Sequence, residues 1–128
     1  MLIVEDQAYM RRTLRRFLQS AFPDQDIHGA CNGASALAQC RDHRPEVVLM
    51  DIELPDANGI ELTAQIRQML PGTVVIIVSN HSSAEYIQRA LAAGAAAYVT
   101  KDAVDRDLIP SVKAALARQR SAPHEHDQ

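Results

Sequence analysis

The chain has 128 residues, 47% of them apolar and 23% charged, and carries a formal net charge of −3. That length fits one domain and falls short of two ordinary ones, and the apolar share supports a real core. The mild negative charge argues against direct nucleic-acid contact through bulk electrostatics, and no stretch is long or apolar enough to span a membrane.

The first apolar run, Leu2-Ile3-Val4, reads as a strand and leads into Glu5-Asp6. Met1 stands almost directly before it, which leaves no room for a secretory signal and points to a cytoplasmic location. A helix is expected from Gln7 to Ala21, with Met10, Leu14, Phe17, Leu18 and Ala21 at helical spacing, ended by Phe22-Pro23-Asp24. A weak strand follows at Ile27–Ala30. Asn32 can cap a short second helix containing Ala34, Leu37 and Ala38, which Arg44-Pro45 breaks.

The third strand, Val47–Met50, is unbroken apolar sequence, the mark of a parallel strand buried on both faces. It ends at Asp51. Pro55 to Gly59 is a loop, and Asn58 with Glu61 has the spacing of a capping box opening a third helix with Leu62, Ile66 and Met69 inward. Val74–Val78 is the fourth strand and leads into Ser79. Ser82 and Glu85 repeat the capping spacing before a fourth helix, which Gly94 ends. The fifth strand is Ala97–Val99, running through Thr100 into Lys101. A last helix spans roughly Asp105 to Gln119, kinked or started late by Pro110. Residues 1–120 are read as one domain and 121–128 as a polar, disordered tail, with His124 and His126 taken as solvated residues. Cys31 and Cys40, lacking metal-ligand spacing, are read as reduced thiols filling space.

Strands alternating with helices in this way build an α/β fold with a parallel sheet, whose ligands bind beyond the carboxyl ends of the strands. Here those ends deliver Glu5, Asp6, Asp51, Ser79 and Lys101. Clustered carboxylates repel one another unless they protonate or bind a cation, and an all-oxygen set suits Mg²⁺ better than zinc. A carboxylate nucleophile, a hard cation, an ammonium and a hydroxyl together describe a phosphoryl acceptor that forms an aspartyl phosphate. Taken singly, Glu5 could be a surface acid, Ser79 a helix cap, Lys101 a solvated lysine and Tyr98 an ordinary strand tyrosine.

In order along the chain stand Ile3-Val4-Glu5-Asp6-Gln7, Leu49-Met50-Asp51-Ile52, Leu54-Pro55 with Asn58-Gly59, Ile77-Val78-Ser79, Gly94-Ala95 and Tyr98-Val99-Thr100-Lys101. This ordered set resembles the receiver domain of bacterial two-component response regulators, over about residues 1 to 118. The wording around Ser79 and Lys101 is most similar to NarL/LuxR-type receivers. The resemblance implies a three-layer αβα, flavodoxin-like (βα)5 fold with a doubly wound five-stranded parallel sheet in the order 2-1-3-4-5. It implies Asp51 as phosphoacceptor, with Mg²⁺ held by Asp6, Asp51 and the backbone carbonyl of Glu53, and by Glu5 through water. Lys101 would contact the phosphoryl group, Ser79 would move to hydrogen-bond it, and Tyr98 would then turn from solvent toward the core. The implied partners are a sensor histidine kinase or histidine phosphotransfer protein and, after phosphorylation, a second copy in a homodimer. The output would be transcription regulation if the chain is the receiver of a longer NarL/LuxR-type regulator.

The chain departs from the family's pattern in three places. Asp102 stands where proline commonly follows the lysine in a cis bond, leaving a choice between a trans bond and a strained one. Asn80 is bulkier than the small residue often found there, and the first strand is expected to be short. Glu53 and His81, two positions after Asp51 and Ser79, flank the pocket and in the family tune hydrolysis of the acyl phosphate. Arg11, Arg12, Arg15 and Arg16 form either a solvated face of the first helix or a docking surface for the phosphodonor. The competing functions are a small Mg²⁺-dependent phosphohydrolase, separable by turnover of a phosphate ester, and a flavodoxin-like electron carrier, disfavoured by the acidic first loop. A phosphorylation-independent pseudo-receiver is the third competitor. The domain is read as a signalling switch that assists its own phosphorylation and dephosphorylation, and not as an enzyme.

Overall fold

The computed structural model describes residues 1–121. Strands β1 (Leu2–Val4), β2 (His28–Ala30), β3 (Val47–Met50), β4 (Val74–Ser79) and β5 (Ala97–Thr100) form one parallel sheet in the order β2-β1-β3-β4-β5. Helices α1 (Ala8–Ala21), α2 (Gly33–His43), α3 (Gly59–Met69), α4 (Ala84–Ala92) and α5 (Val104–Ser121) alternate with them. This is the three-layer, doubly wound arrangement that the alternation and the resemblance implied. Residues 122–128, with His124 and His126, lie outside the described residues.

Side chains alternate across the strands, so each apolar run feeds two cores. Ile3, Leu49, Ile76, Val78 and Val99 face Leu14 and Leu18 of α1 and Leu108 and Val112 of α5. Leu2, Val4, Val48, Met50, Val75 and Ile77 face Ala36 and Cys40 of α2, Leu62 and Ile66 of α3 and Ala90 of α4. That is why β3 and β4 read as continuous apolar sequence: both faces are covered. Full burial of each large side chain stabilises the fold by about 1.5–3 kcal/mol.

Helix ends follow local chemistry. Asn32 Oδ1 accepts from the Ser35 amide at 2.8 Å and starts α2, and Arg44 in the left-handed region (φ 45) ends it. Asn58 Oδ1 accepts from the amides of Ile60 (2.8 Å) and Glu61 (3.4 Å), as its capping spacing predicted. Gly94, at φ +109, takes the left-handed conformation that turns the chain out of α4.

Several boundaries differ from expectation. Helix α1 starts at Ala8 with Gln7 outside it, and Ala21 is exposed. Ser83, not Ser82, caps α4, accepting from the Tyr86 amide at 3.4 Å. Helix α5 starts at Val104, after a 3-10 turn over Lys101–Ala103, and runs through Pro110. Pro110 and Arg106, whose carbonyl loses its helical partner, are both exposed, so water can satisfy that carbonyl. Every described peptide bond is trans, including Lys101–Asp102. Cys40 fills core space, and burial pushes its thiol up to about 11, but Cys31 is exposed.

Candidate functional site

The register of the sheet assembles the site. Val4 pairs with Met50 across β1 and β3, and the Asp51 amide continues the ladder to the Val4 carbonyl at 3.0 Å. The next residue on each strand is an acid, so Glu5 and Asp51 emerge side by side. Glu5, Asp6 and Asp51 each offer a carboxylate oxygen within 4.8 Å of the others. Glu5 is 1% exposed and Asp51 7%, while Asp6 lies open to solvent. On the other side Ser79 pairs with Thr100, so Lys101 leaves β5 beside the ends of β3 and β4.

Lys101 reaches back across the strand ends. Its Nζ donates to Asp51 Oδ2 at 3.3 Å and stands 2.8 Å from Glu5 Oε1. The second contact is the shorter of two ion pairs, so one ammonium faces both buried carboxylates. Burial raises the Glu5 carboxyl above its ordinary value and Asp51 adds to the rise, against Lys101 and the Gln7 amide, which favour the carboxylate. Burial alone would lower the Lys101 ammonium, but Glu5 and Asp51 outweigh it and hold it above its ordinary value. A fixed cation thus faces a cluster of carboxyl groups, two of them buried and one open to solvent.

The loop after Asp51 is held by its glycine. A side-chain carbon at Gly59 would fall 1.9 Å from the Asp51 carbonyl oxygen, and the Gly59 amide donates to the Ile52 carbonyl at 2.7 Å. Only glycine lets the start of α3 approach β3 this closely. Asp56, from the same loop, caps the neighbouring helix α2 by accepting from the amides of Gly33 (2.7 Å) and Ala34 (3.0 Å). Those bonds hold its carboxyl below the ordinary range.

The flanking residues meet. His81 Nε2 lies 2.7 Å from Glu53 Oε1, and the His81 ring stacks on Tyr86 with centroids 4.2 Å apart. The His81 amide donates to Ser79 Oγ at 3.1 Å, so Ser79 also caps the following segment. Tyr98 is half-buried, packed against the α2–α3–α4 core, and donates its hydroxyl to the His81 carbonyl at 2.7 Å. That bond ties its hydroxyl to the segment following β4.

Sequence reading placed Glu5, Asp6, Asp51, Ser79 and Lys101 at one strand-end edge, and the structure gathers them there, with Tyr98 tied to the segment after Ser79 through His81. It missed the Glu53–His81 contact, the cap from Asp56 and the part played by Arg11. Arg11 Nη1 donates to the Glu5 carbonyl at 2.7 Å, and Arg15 Nη1 to that of Ile27 at 2.7 Å. These two arginines pin loops, which leaves Arg12 and Arg16 as the exposed pair of the four. Sequence spacing carries no signal for such tertiary bonds.

A profile of the response regulator receiver domain matches residues 1–113. The transcriptional regulatory protein YxjL of Bacillus subtilis is 32% identical over 114 residues, covering 88% of this chain and 52% of that protein. The chain therefore spans about half the length of that curated relative. A CheY-like response regulator receiver domain from Methanospirillum hungatei superposes with a TM-score of 0.87 at 30% identity, covering 95% of this chain and 96% of that one. A LuxR-family DNA-binding response regulator from Staphylococcus aureus superposes with a TM-score of 0.80 at 29% identity, covering 89% of this chain and 96% of that chain. In sequence, in topology and in the residues gathered at its strand ends, this chain belongs to the response regulator receiver domains of two-component systems.

Proposed function

We propose that Asp51 is the phosphoacceptor of this receiver, taking a phosphoryl group from a phosphohistidine of a sensor histidine kinase or histidine phosphotransfer protein. The carrying observation is the position of Lys101, 3.3 Å from Asp51 and 2.8 Å from Glu5. A carboxylate oxygen of Asp51 attacks phosphorus, the P–N bond to the donor imidazole breaks, and the imidazole leaves with its electron pair. Lys101 neutralises phosphoryl oxygens, and Ser79 donates its hydroxyl to one of them after releasing the His81 amide.

The donor set fits Mg²⁺. The ligands are oxygens, as a hard cation requires, and three carboxylates, two of them buried, bring oxygens within 4.8 Å of one another. Asp6, Asp51 and the Glu53 carbonyl would hold the ion, with Glu5 acting through water. When bound, it supplies positive charge against the carboxylates and the incoming phosphoryl oxygens.

Tyr98 couples the pocket to the α4–β5–α5 face, because its hydroxyl grips the residue whose amide Ser79 holds. A partner or a second copy of the chain reads that face. Transcription regulation is the output proposed for the whole protein, resting on the relative whose name states it. A mass measurement after incubation with acetyl phosphate tests the core of this reading. It predicts a Mg²⁺-dependent gain of one phosphoryl group that Asp51→Asn abolishes. No gain, with acetyl phosphate or with a purified histidine kinase, would overturn it.

A further inference from the structure

An arginine outside the carboxylate cluster holds its first loop. Residues 5–7 join β1, three residues long, to α1, and Gln7, which opens α1, makes no side-chain cap. Asp6 lies open to solvent, so packing does not fix it. Arg11, half-buried in the first turn of α1, supplies the missing tie. Its Nη1 donates to the Glu5 carbonyl at 2.7 Å and reaches the Asp6 carbonyl at 3.4 Å. The stem passes over Gly29 of edge strand β2, where a side-chain carbon would stand 3.2 Å from Arg11 Cδ. The Glu5 amide donates to the Ala30 carbonyl at 3.0 Å, and the Gln7 amide to Glu5 Oε2 at 3.1 Å. Glu5 is thus gripped at its amide by β2, at its carbonyl by Arg11 and at its carboxylate by Lys101, whereas Asp6 has Arg11 alone among these ties.

We propose that Arg11 is a positioning residue for cation binding: by holding the carbonyls of Glu5 and Asp6, it fixes the loop from which Asp6 presents its carboxylate to Mg²⁺. This rests on the acidic cluster being the Mg²⁺ site. A loop ordered before the ion arrives does not have to be ordered by it, so gathering the ligands costs less entropy. Mg²⁺ makes this matter, because it demands near-ideal octahedral geometry. The guanidinium also repels the ion, which works the other way. At 0.15 M salt that repulsion is screened over about 8 Å, whereas the order of the loop is not screened. Arg15 is the natural comparison. It lies four residues on, on the same face of α1, and donates at the same 2.7 Å, but to the carbonyl of Ile27, before β2 begins.

The test is calorimetric titration of Mg²⁺ into the full chain at 0.15 M salt, for the wild type, Arg11→Met and Arg15→Met. Methionine keeps an apolar stem over β2 and removes only the donor, so the fold is kept. Arg11→Met is expected to bind Mg²⁺ at least about fivefold more weakly. That is less than the roughly 10–100-fold lost with a direct partner of a ligating atom, because Arg11 acts on the loop backbone. Arg15→Met, which loses an equivalent bond, should bind as the wild type does. Phosphorylation by acetyl phosphate gives a second readout. The half-saturating Mg²⁺ concentration should rise in Arg11→Met while the rate at saturating Mg²⁺ stays at the wild-type value. Unchanged or tighter Mg²⁺ binding in Arg11→Met overturns the proposal. Equal weakening in Arg15→Met does so too, since it would reduce Arg11 to general packing. Absence of Mg²⁺ binding by the wild type would instead overturn the Mg²⁺ site itself, and the role of Arg11 with it.

Discussion

The hydroxyl of Tyr98 donates to the backbone carbonyl of His81 at 2.7 Å, and the amide of the same His81 donates to Ser79 Oγ at 3.1 Å. One residue is thus gripped at both ends by the two side chains proposed to switch. Removing the tyrosine hydroxyl tests this link. Tyr98→Phe should lower stability by about 1 kcal/mol, the net worth of one hydrogen bond. It should leave phosphoryl uptake on Asp51 intact while weakening the change at α4 and β5. Denaturant melts, mass measurement and amide chemical shifts with and without a phosphoryl analogue read these three effects.

Lys101 compensates two buried carboxylates at once. Lys101→Ala leaves Glu5 and Asp51 facing each other without a cation and should cost about 3–5 kcal/mol, the range for breaking a buried pair. If the acidic cluster holds Mg²⁺, adding the ion should restore part of that loss and stabilise the variant more than the wild type. Urea unfolding at two Mg²⁺ concentrations checks this, and equal Mg²⁺ effects on both chains would count against it.

Gly59 tolerates no side chain, because a Cβ would sit 1.9 Å from the Asp51 carbonyl oxygen. The obstacle is backbone, which cannot rotate away. Gly59→Ala should therefore cost about 3 kcal/mol or more and, where the chain still folds, displace Asp51 enough to slow phosphorylation at least about tenfold. The thermal midpoint and phosphorylation rate should fall together.

Asp56 makes stability depend on pH. Its carboxylate accepts from the Gly33 and Ala34 amides at the start of α2, which holds its folded value below the ordinary 3.8. A depressed folded value means that the contribution is full above the unfolded value and fades as pH falls through the folded one. Wild type should therefore be more stable than Asp56→Asn at pH 7, with the gap closing below about pH 4. Parallel melts from pH 7 to pH 2.5 show whether it closes.

Glu53 and His81, two positions after Asp51 and Ser79, lie 2.7 Å apart, with the ring backed by Tyr86. His81→Ala removes that bridge and should speed phosphorylation by a small acyl phosphate several-fold, about three- to tenfold, by easing access. An unchanged rate would show that the bridge leaves the path to Asp51 open.

The elements of this fold were legible because their patterns are local. The apolar runs at Val47–Met50 and Val74–Val78 admit only strands covered on both sides, and Gly94, Asn32 and Asn58 mark helix ends through their own backbone and side-chain chemistry. The pocket was legible because every parallel strand delivers its last residue to one edge, so Glu5, Asp51, Ser79 and Lys101 had to converge. Ser82 for Ser83, and a late start of the last helix at Pro110, were misjudged because both depend on which turn water and packing favour. Only tertiary structure decided that Lys101 lies nearer Glu5 than Asp51, that Asp56 caps a helix twenty-three residues before it, and that two of four arginines hold loops. It also decided that His28 and His43 stack. Each of these joins residues far apart in the chain, and their distance is set by sheet register and helix packing, which no neighbouring residues encode.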